Sequence, residues 1–212
     1  MMIVALWVLS VATSFAYGLR LTHLPASGVR SAAKTLAILA LAAIAVLSGG
    51  PVLLGLALLA SAIGDFFLSR PSDRAFLVGM AAFFLGHLGY IALMSGSFSL
   101  IALQDQMIWA VLLAVLSVGV YCVLWPELKA FRWPVMAYVI AILLMGLVAL
   151  GQTSVLAPLF LVAALTFMAS DSILALEKFR PDLIGAAQKA AGHAVWALYY
   201  AAQVLFTLTA LG

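Results

Sequence analysis

The feature that most constrains this chain is a series of long apolar runs that carry almost no charge. A helix needs about 20 consecutive apolar residues to cross the hydrocarbon core of a bilayer. Because the connections are short, the runs predict an all-α membrane protein in which residues 1–212 form a single transmembrane domain of eight transmembrane helices. The runs cover residues 2–19, 32–48, 51–69, 75–95, 107–125, 133–150, 155–177 and 183–210.

Composition supports this assignment and excludes several other classes of protein. Only 8% of the residues are charged, whereas a soluble domain carries about 25%, so the chain cannot cover a water-exposed surface. The net charge of +3 gives no reason to expect a nucleic-acid partner. A single cysteine, Cys122, excludes an intramolecular disulfide, and the three histidines lack the paired cysteines of a zinc ribbon. The first run lacks the basic segment and cleavage site of a signal peptide, so we expect a retained helix.

The basic residues predict the orientation of the helices. Cytoplasmic loops concentrate lysine and arginine, and all ten bases lie in or beside the first, third, fifth and seventh connections. Both termini are therefore expected on the non-cytoplasmic side, in a multi-pass protein of a bacterial inner membrane. The bases are Arg20, Arg30, Lys34, Arg70, Arg74, Lys129, Arg132, Lys178, Arg180 and Lys189.

The chain also matches itself at an offset of 106 residues. Asp65 falls on Asp171 and His87 on His193, together with six further identities within 23 positions. Four helices in each half is an even number, so both halves would enter the membrane in the same direction. The offset predicts a parallel internal repeat with halves of roughly residues 1–106 and 107–212.

Two acidic residues are predicted to lie inside the membrane. Five of the seven acids sit in connections or at the ends of runs, which leaves Asp65 and Asp171 within the bundle. Ionisable groups at that depth are costly and usually mark function. His87 and His193 are expected near mid-membrane at equivalent positions. Each aspartate could instead be a structural partner of the histidine in its own half.

Polar residues also follow helical spacing on two of the predicted helices, and such stripes should face the bundle rather than acyl chains. On the fourth helix the stripe is Met80, Phe83, His87, Tyr90 and Met94, and on the eighth it is Lys189, His193, Trp196, Tyr200, Gln203 and Thr207. Buried polar groups in membrane helices are often hydrogen-bonded contacts between helices rather than site residues. We prefer that interpretation for Ser48, Ser117, Tyr138 and Thr207.

At these positions the sequence resembles the YhhN-like lysoplasmalogenase family of polytopic membrane proteins. Lys34 also fits the family, although Thr35 stands where the family often has proline. The resemblance implies hydrolysis of the vinyl ether bond of a lysoplasmalogen to a fatty aldehyde and a glycerophospho-alcohol. It also implies that Asp65 and Asp171 are the two membrane aspartates of the family. The matching segments are Ser61–Leu68, then Phe76, Gly79, Phe83, His87 and Tyr90, then Ala169–Ala175 with Lys178 and Phe179, and Tyr199–Gln203.

Two carboxyl groups suit this reaction. Vinyl ether hydrolysis needs an acid that protonates carbon and a base that activates water, as in glycoside hydrolysis, where a similar cation forms. Burial and a second carboxylate nearby both favour the protonated form of a carboxyl group. The sequence leaves the assignment of acid and base open; Asp65, beside Ile63, Phe66 and Phe67, is the better candidate for the protonated form, because Asp171 has flanking serines able to stabilise its anion.

The remaining candidates would bind the lysophospholipid substrate within the bilayer, among the surrounding membrane lipids, with no cofactor. Tyr200, Gln203, His87 and His193 would position the water or the glycerol hydroxyl, and Lys34 and Lys189 would hold the phosphate. The predicted substrate-binding residues also include Tyr90, Ser170 and Tyr199.

Other interpretations stay open at this point. The histidines and aspartates could hold a metal such as zinc and form a metal-dependent lipid hydrolase, although no compact two-histidine spacing is present and no metal is expected. A parallel repeat also fits a small lipid or solute transporter. The broken helices typical of transporters are missing, because every proline lies in a connection or at the end of a run. A purely structural role is a third interpretation.

Overall fold

The structure, a computed structural model, describes residues 1–212 and is all-helical, as predicted. Eight long helices match the eight apolar runs to within a few residues. Two short helices, α5 and α9, lie in connections and were not predicted. In chain order the helices are α1 (Met2–Ala16), α2 (Gly28–Leu47), α3 (Val52–Leu68), α4 (Asp73–Ser95), α5 (Leu100–Asp105), α6 (Met107–Leu128), α7 (Arg132–Leu150), α8 (Ala157–Phe179), α9 (Pro181–Ile184) and α10 (Gln188–Leu211).

Six helical segments are long and apolar enough to cross a membrane. The segment Met107–Leu150 contains both α6 and α7, and Val52–Leu68 is a shorter apolar helix of 17 residues. The prediction of a multi-pass membrane protein is therefore confirmed, while the count of eight spans stays a prediction. The six segments are Met2–Leu21, Gly28–Leu47, Asp73–Ser95, Met107–Leu150, Ala157–Phe179 and Pro181–Leu211.

Local sequence explains where several helices begin and end. The Ser27 side chain accepts a hydrogen bond from the Arg30 amide and so caps the start of α2. Gly49, just after α2, has a φ of +68°, which glycine adopts without the steric penalty of other residues. Lys129 has a φ of +46° directly after α6, and α7 packs against α6 after this turn.

The chain forms two compact units. The first comprises residues 1–93 with 203–212, and the second comprises residues 94–202. The last part of α10 thus belongs to the first unit, where Phe206 stacks on Tyr90 with ring centroids 4.0 Å apart. The boundary after residue 93 lies roughly three to four helical turns before residue 106, the midpoint that the repeat offset suggests.

In the first unit, α3 packs with two different faces. One face meets α2, and the other meets α4 through small residues. A Cβ added to Gly89 of α4 would lie 2.9 Å from the Cβ of Ala57, and one added to Gly86 would lie 3.0 Å from the hydroxyl of Ser61. Such close backbone approach is typical of helix pairs in membranes. Ile63 and Phe66, on the remaining face of α3, are exposed.

In the second unit, α6, α7 and α8 pack together, and α8 also contacts the first part of α10. The Ser170 hydroxyl donates to the carbonyl of Val195 at 2.9 Å, and the ring of Phe167 meets Tyr199 edge-on with centroids 5.4 Å apart. The Gln152 side chain donates to the Met94 carbonyl at 2.5 Å, which holds the end of α4 to the connection after α7.

Candidate functional site

The first unit contains a buried ion pair between Lys34 of α2 and Asp65 of α3. Lys34 Nζ lies 2.9 Å from Asp65 Oδ1, and the two side chains are 13% and 0% exposed. One helical turn away, the hydroxyls of Ser31 and Ser69 lie 2.6 Å apart and join the same two helices. The pair and the serines together fix the register of α2 against α3.

This ion pair overturns the expectation that Asp65 lies among apolar side chains as the protonated carboxyl. Each residue of an α-helix turns by about 100°, so Ile63 and Phe66 point away from the Asp65 side and are 44% and 41% exposed. The ammonium group beside Asp65 favours the ionised carboxylate. Asp65 is therefore one member of a buried Lys–Asp pair rather than an isolated carboxyl group, and Lys34 contacts Asp65 rather than standing free for a phosphate.

A second polar group of the first unit joins α4 and α10. The Tyr90 hydroxyl donates to Gln203 Oε1, and both side chains are fully buried. Gln203 Nε2 is buried with no protein hydrogen-bond partner. A buried donor without a hydrogen-bond partner lowers the stability of the fold by about 1–3 kcal/mol. This amide is therefore suited to hold a water molecule or an oxygen of a ligand.

His87 lies one turn before Tyr90 on α4 and is also fully buried. Its Nδ1 lies 2.6 Å from the carbonyl of Phe83. A carbonyl only accepts, so Nδ1 carries the hydrogen and Nε2 is the acceptor nitrogen of the neutral ring. The predicted burial of the stripe on α4 is confirmed, since all five of its members are buried.

In the second unit, Asp171 of α8 is paired with Tyr138 of α7. The Tyr138 hydroxyl donates to Asp171 Oδ2 at 2.8 Å, and Asp171 is 8% exposed. Sequence reasoning assigned Tyr138 to a hydrogen-bonded contact between helices, which this bond is, but did not identify Asp171 as its partner. Residue spacing carried a signal, because Tyr138 precedes Ser154 by 16 residues and Asp171 follows Val155 by 16. Residues equidistant from a short connection lie level in an antiparallel helix pair.

The flanking serines do not act on Asp171 as expected. The Ser170 hydroxyl donates to the carbonyl of Val195, and the Ser172 hydroxyl donates to the carbonyl of Met168 at 2.8 Å. Each hydroxyl has a single hydrogen to donate. The donor that reaches the carboxylate is therefore the phenol of Tyr138.

The predicted stripe on α10 is only partly buried. Lys189 and His193 are exposed, so His193 does not share the burial of His87, its predicted counterpart. Trp196 and Tyr199 are buried, and the rings of Trp196 and the half-buried Tyr200 stack with centroids 6.0 Å apart. The candidates therefore divide between the units. Lys34, Asp65, His87, Tyr90 and Gln203 belong to the first, and Ser170, Asp171, Lys189, His193, Tyr199 and Tyr200 belong to the second.

Metal ligation was the leading alternative. Nowhere in the chain do three or more histidine, cysteine, aspartate or glutamate side chains come together in an arrangement that could hold a metal ion. The polar groups that the structure does assemble are the ion pair, the phenol–carboxylate pair and the buried amide.

The helices and these groups define a class, that of multi-pass helical membrane proteins with carboxyl and amide groups buried between their helices. The YhhN family model matches residues 29–210, and the chain belongs to this family. Neither a curated protein nor a solved structure gives a match. Membership confirms the resemblance noted in the sequence and is consistent with a lysoplasmalogenase.

Proposed function

We propose that this protein is a membrane-embedded hydrolase that cleaves the vinyl ether bond of lysoplasmalogens. The products would be a fatty aldehyde and glycerophosphoethanolamine or glycerophosphocholine. The observation that carries the proposal is the fully buried carboxyl group of Asp65, paired with Lys34, in a member of the YhhN family. A carboxylate kept charged at membrane depth is rarely retained for packing alone.

The reaction consumes one water, and formation of the hemiacetal needs two proton transfers. An acid protonates the β-carbon of the vinyl ether, and the α-carbon becomes an oxocarbenium ion. Water adds to that carbon as a base removes the proton of the water, which gives a hemiacetal. The hemiacetal then breaks its C–O bond as the base gives its proton to the leaving glycerol oxygen and the acid recovers a proton from the hemiacetal hydroxyl, which becomes the aldehyde oxygen. One group must therefore begin protonated and the other ionised.

The Lys34 contact supports Asp65 as the base, which leaves Asp171 as the proposed acid, the reverse of the order that the sequence favoured. Lys34 keeps Asp65 ionised and ready to accept the proton of water. The Tyr138 phenol, a neutral donor, engages one oxygen of Asp171 and so orients the carboxyl group. The other oxygen, Oδ1, would carry the proton that is transferred to carbon.

The remaining candidates are proposed as substrate contacts. Gln203 Nε2 is the best supported, because it is a buried donor without a protein partner. His87, with Nε2 as acceptor, and Tyr90 would complete a polar lining in the first unit. The other substrate contacts proposed from the sequence are Ser170, Lys189, His193, Tyr199 and Tyr200.

We also propose eight spans in a single transmembrane domain, arranged as a parallel repeat, with both termini on the non-cytoplasmic side of a bacterial inner membrane. The distribution of the ten bases supports this orientation. The repeat gains support from the partners of the aspartates. The partner of Asp65 lies on α2 and the partner of Asp171 lies on α7. In each half, the helix that carries the partner directly precedes the helix that carries the aspartate.

The test is turnover by the purified protein in lipid nanodiscs. Three lysophospholipids that differ only at the sn-1 linkage, 1-alkenyl, 1-alkyl and 1-acyl, are assayed for aldehyde and for fatty acid. We expect aldehyde from the alkenyl lipid alone, and loss of its release in Asp65→Asn and Asp171→Asn. Asp105→Asn, at an exposed position, is the matched control and should keep full activity. Fatty acid from the acyl lipid without aldehyde from the alkenyl lipid would overturn the proposal.

A further inference from the structure

The guanidinium group of Arg30, near the start of α2, has no acidic partner. Its terminal NH2 lies 3.4 Å from the Tyr17 hydroxyl and 3.3 Å from the Thr22 carbonyl, both of which are neutral. Its Nε is buried and makes no hydrogen bond. No carboxylate lies within ion-pair distance of this side chain. Arg30 is therefore a half-buried cation with an unused donor.

Arg30 lies one helical turn from the ion pair of Lys34 and Asp65. Both cations approach the Tyr17 ring, with Arg30 Cζ 5.8 Å and Lys34 Nζ 6.0 Å from its centroid. Asp65 neutralises Lys34, so the positive charge of Arg30 remains uncompensated at this end of the first unit.

Tyr17 is placed by an irregular backbone. Residues Tyr17–Leu21 form a π-helix at the end of α1, and Tyr17 is 5% exposed. π-Helical turns inside α-helices are rare and are frequent at functional sites. In this turn the Tyr17 ring lies beside two cations of α2, Arg30 and Lys34.

We infer that Arg30 binds the phosphate of the lysophospholipid substrate, a role that the sequence assigned to Lys34. This inference rests on the proposed function. Guanidinium groups bind phosphate oxygens through two N–H donors at once. The helical rise from Arg30 to Lys34 is about 6 Å, comparable to the length of the glycerol unit between the phosphate and the sn-1 oxygen. Phosphate at Arg30 would thus bring the vinyl ether level with Asp65.

A purely structural role for Arg30, as a clamp on the turn after α1, predicts different kinetics. A clamp affects every substrate equally, whereas a phosphate contact affects only substrates that have a phosphate. The test compares a lysoplasmalogen with a 1-alkenylglycerol of the same chain length, which has the same vinyl ether and no phosphate. The control for surface charge is Arg20→Gln, which removes an exposed base from the π-helical segment at the end of α1.

In Arg30→Gln we expect KM for the lysoplasmalogen to rise about tenfold, with kcat unchanged and both constants for the alkenylglycerol unchanged, since a charged hydrogen bond is lost. Arg30→Lys should fall between this variant and the wild type, and Arg20→Gln should match the wild type. Equal changes on both substrates, or no change in KM for the lysoplasmalogen, would overturn the inference.

Two further measurements separate this inference from the proposed reaction and from binding of free phosphate. Binding of a saturated 1-alkyl lysophospholipid, which cannot be hydrolysed by this chemistry, should weaken about tenfold in Arg30→Gln even if no lipid is turned over. Competition by glycerophosphoethanolamine should be lost in the same variant. Inorganic phosphate that competes as strongly as the glycerophospho-alcohol in the wild type would argue against a headgroup site and overturn the inference.

Discussion

Removing the ammonium group of Lys34 should both destabilise the protein and abolish its activity. The change is Lys34→Met, which keeps an unbranched side chain one atom shorter than lysine and leaves Asp65, at 0% exposure, without its cation. At 2.9 Å the gross attraction is about 6 kcal/mol for an effective dielectric constant of about 20. Breaking a buried pair by removing one partner costs about 3–5 kcal/mol, because the remaining charge is uncompensated.

The assay is a double-mutant cycle of Lys34→Met, Asp65→Asn and the double variant, followed by thermal unfolding in detergent and by aldehyde release. Each single variant should unfold at clearly lower temperature, and the double variant should recover most of the loss because no buried charge remains. Aldehyde release should be absent from all variants that lack Asp65. Additive losses in the double variant would refute the ion-pair reasoning, and full activity of Lys34→Met would refute the assignment of Asp65 as a carboxylate base.

Three further changes test other contacts. Tyr138→Phe removes the donor to Asp171 and should lower kcat for aldehyde release about tenfold, the cost of one hydrogen bond, while KM stays constant; unchanged kcat would contradict the orienting role. Gln203→Leu removes a buried unsatisfied donor but also the acceptor of the Tyr90 hydroxyl, so it is combined with Tyr90→Phe; we expect the double variant to keep thermal stability and to raise KM above that of Tyr90→Phe alone, and an equal KM would contradict a substrate contact of the amide. Gly89→Leu should lower stability by more than about 2 kcal/mol, because its Cβ alone would lie 2.9 Å from α3, whereas Gly119→Leu meets open space and serves as the control in the same thermal assay.

The helices themselves could be predicted from the sequence because each apolar run has the length that a bilayer demands. Glycine, proline and charge then separate the runs, so the bounds of α2, α4 and α7 differ from those expected by only a few residues. The two short helices escaped prediction, since six or four residues are too few to show helical periodicity.

The partners of the aspartates were harder to predict because periodicity defines a face but not the neighbour that covers it. α3 buries two faces, and the hydrophobic pattern cannot distinguish the one that meets α2. The register of a hairpin supplies the missing information. Lys34 precedes Gly49 by 15 residues and Asp65 follows Gly50 by 15, so the two lie level across the tight turn. Applied to Tyr138 and Asp171, the same rule gives the second contact.

The membership of residues 203–212 in the first unit has a consequence for biogenesis. Tyr90 becomes fully buried, and the residue that accepts its hydrogen bond lies 113 positions further along the chain. During synthesis, α1 to α4 reach the bilayer well before α10 is made. The phenol of Tyr90 must therefore remain in the membrane without its Gln203 acceptor until α10 is inserted. The first four helices to enter the membrane therefore reach their final packing only after α10 is inserted. We expect quality-control proteases to act on the nascent protein during this interval.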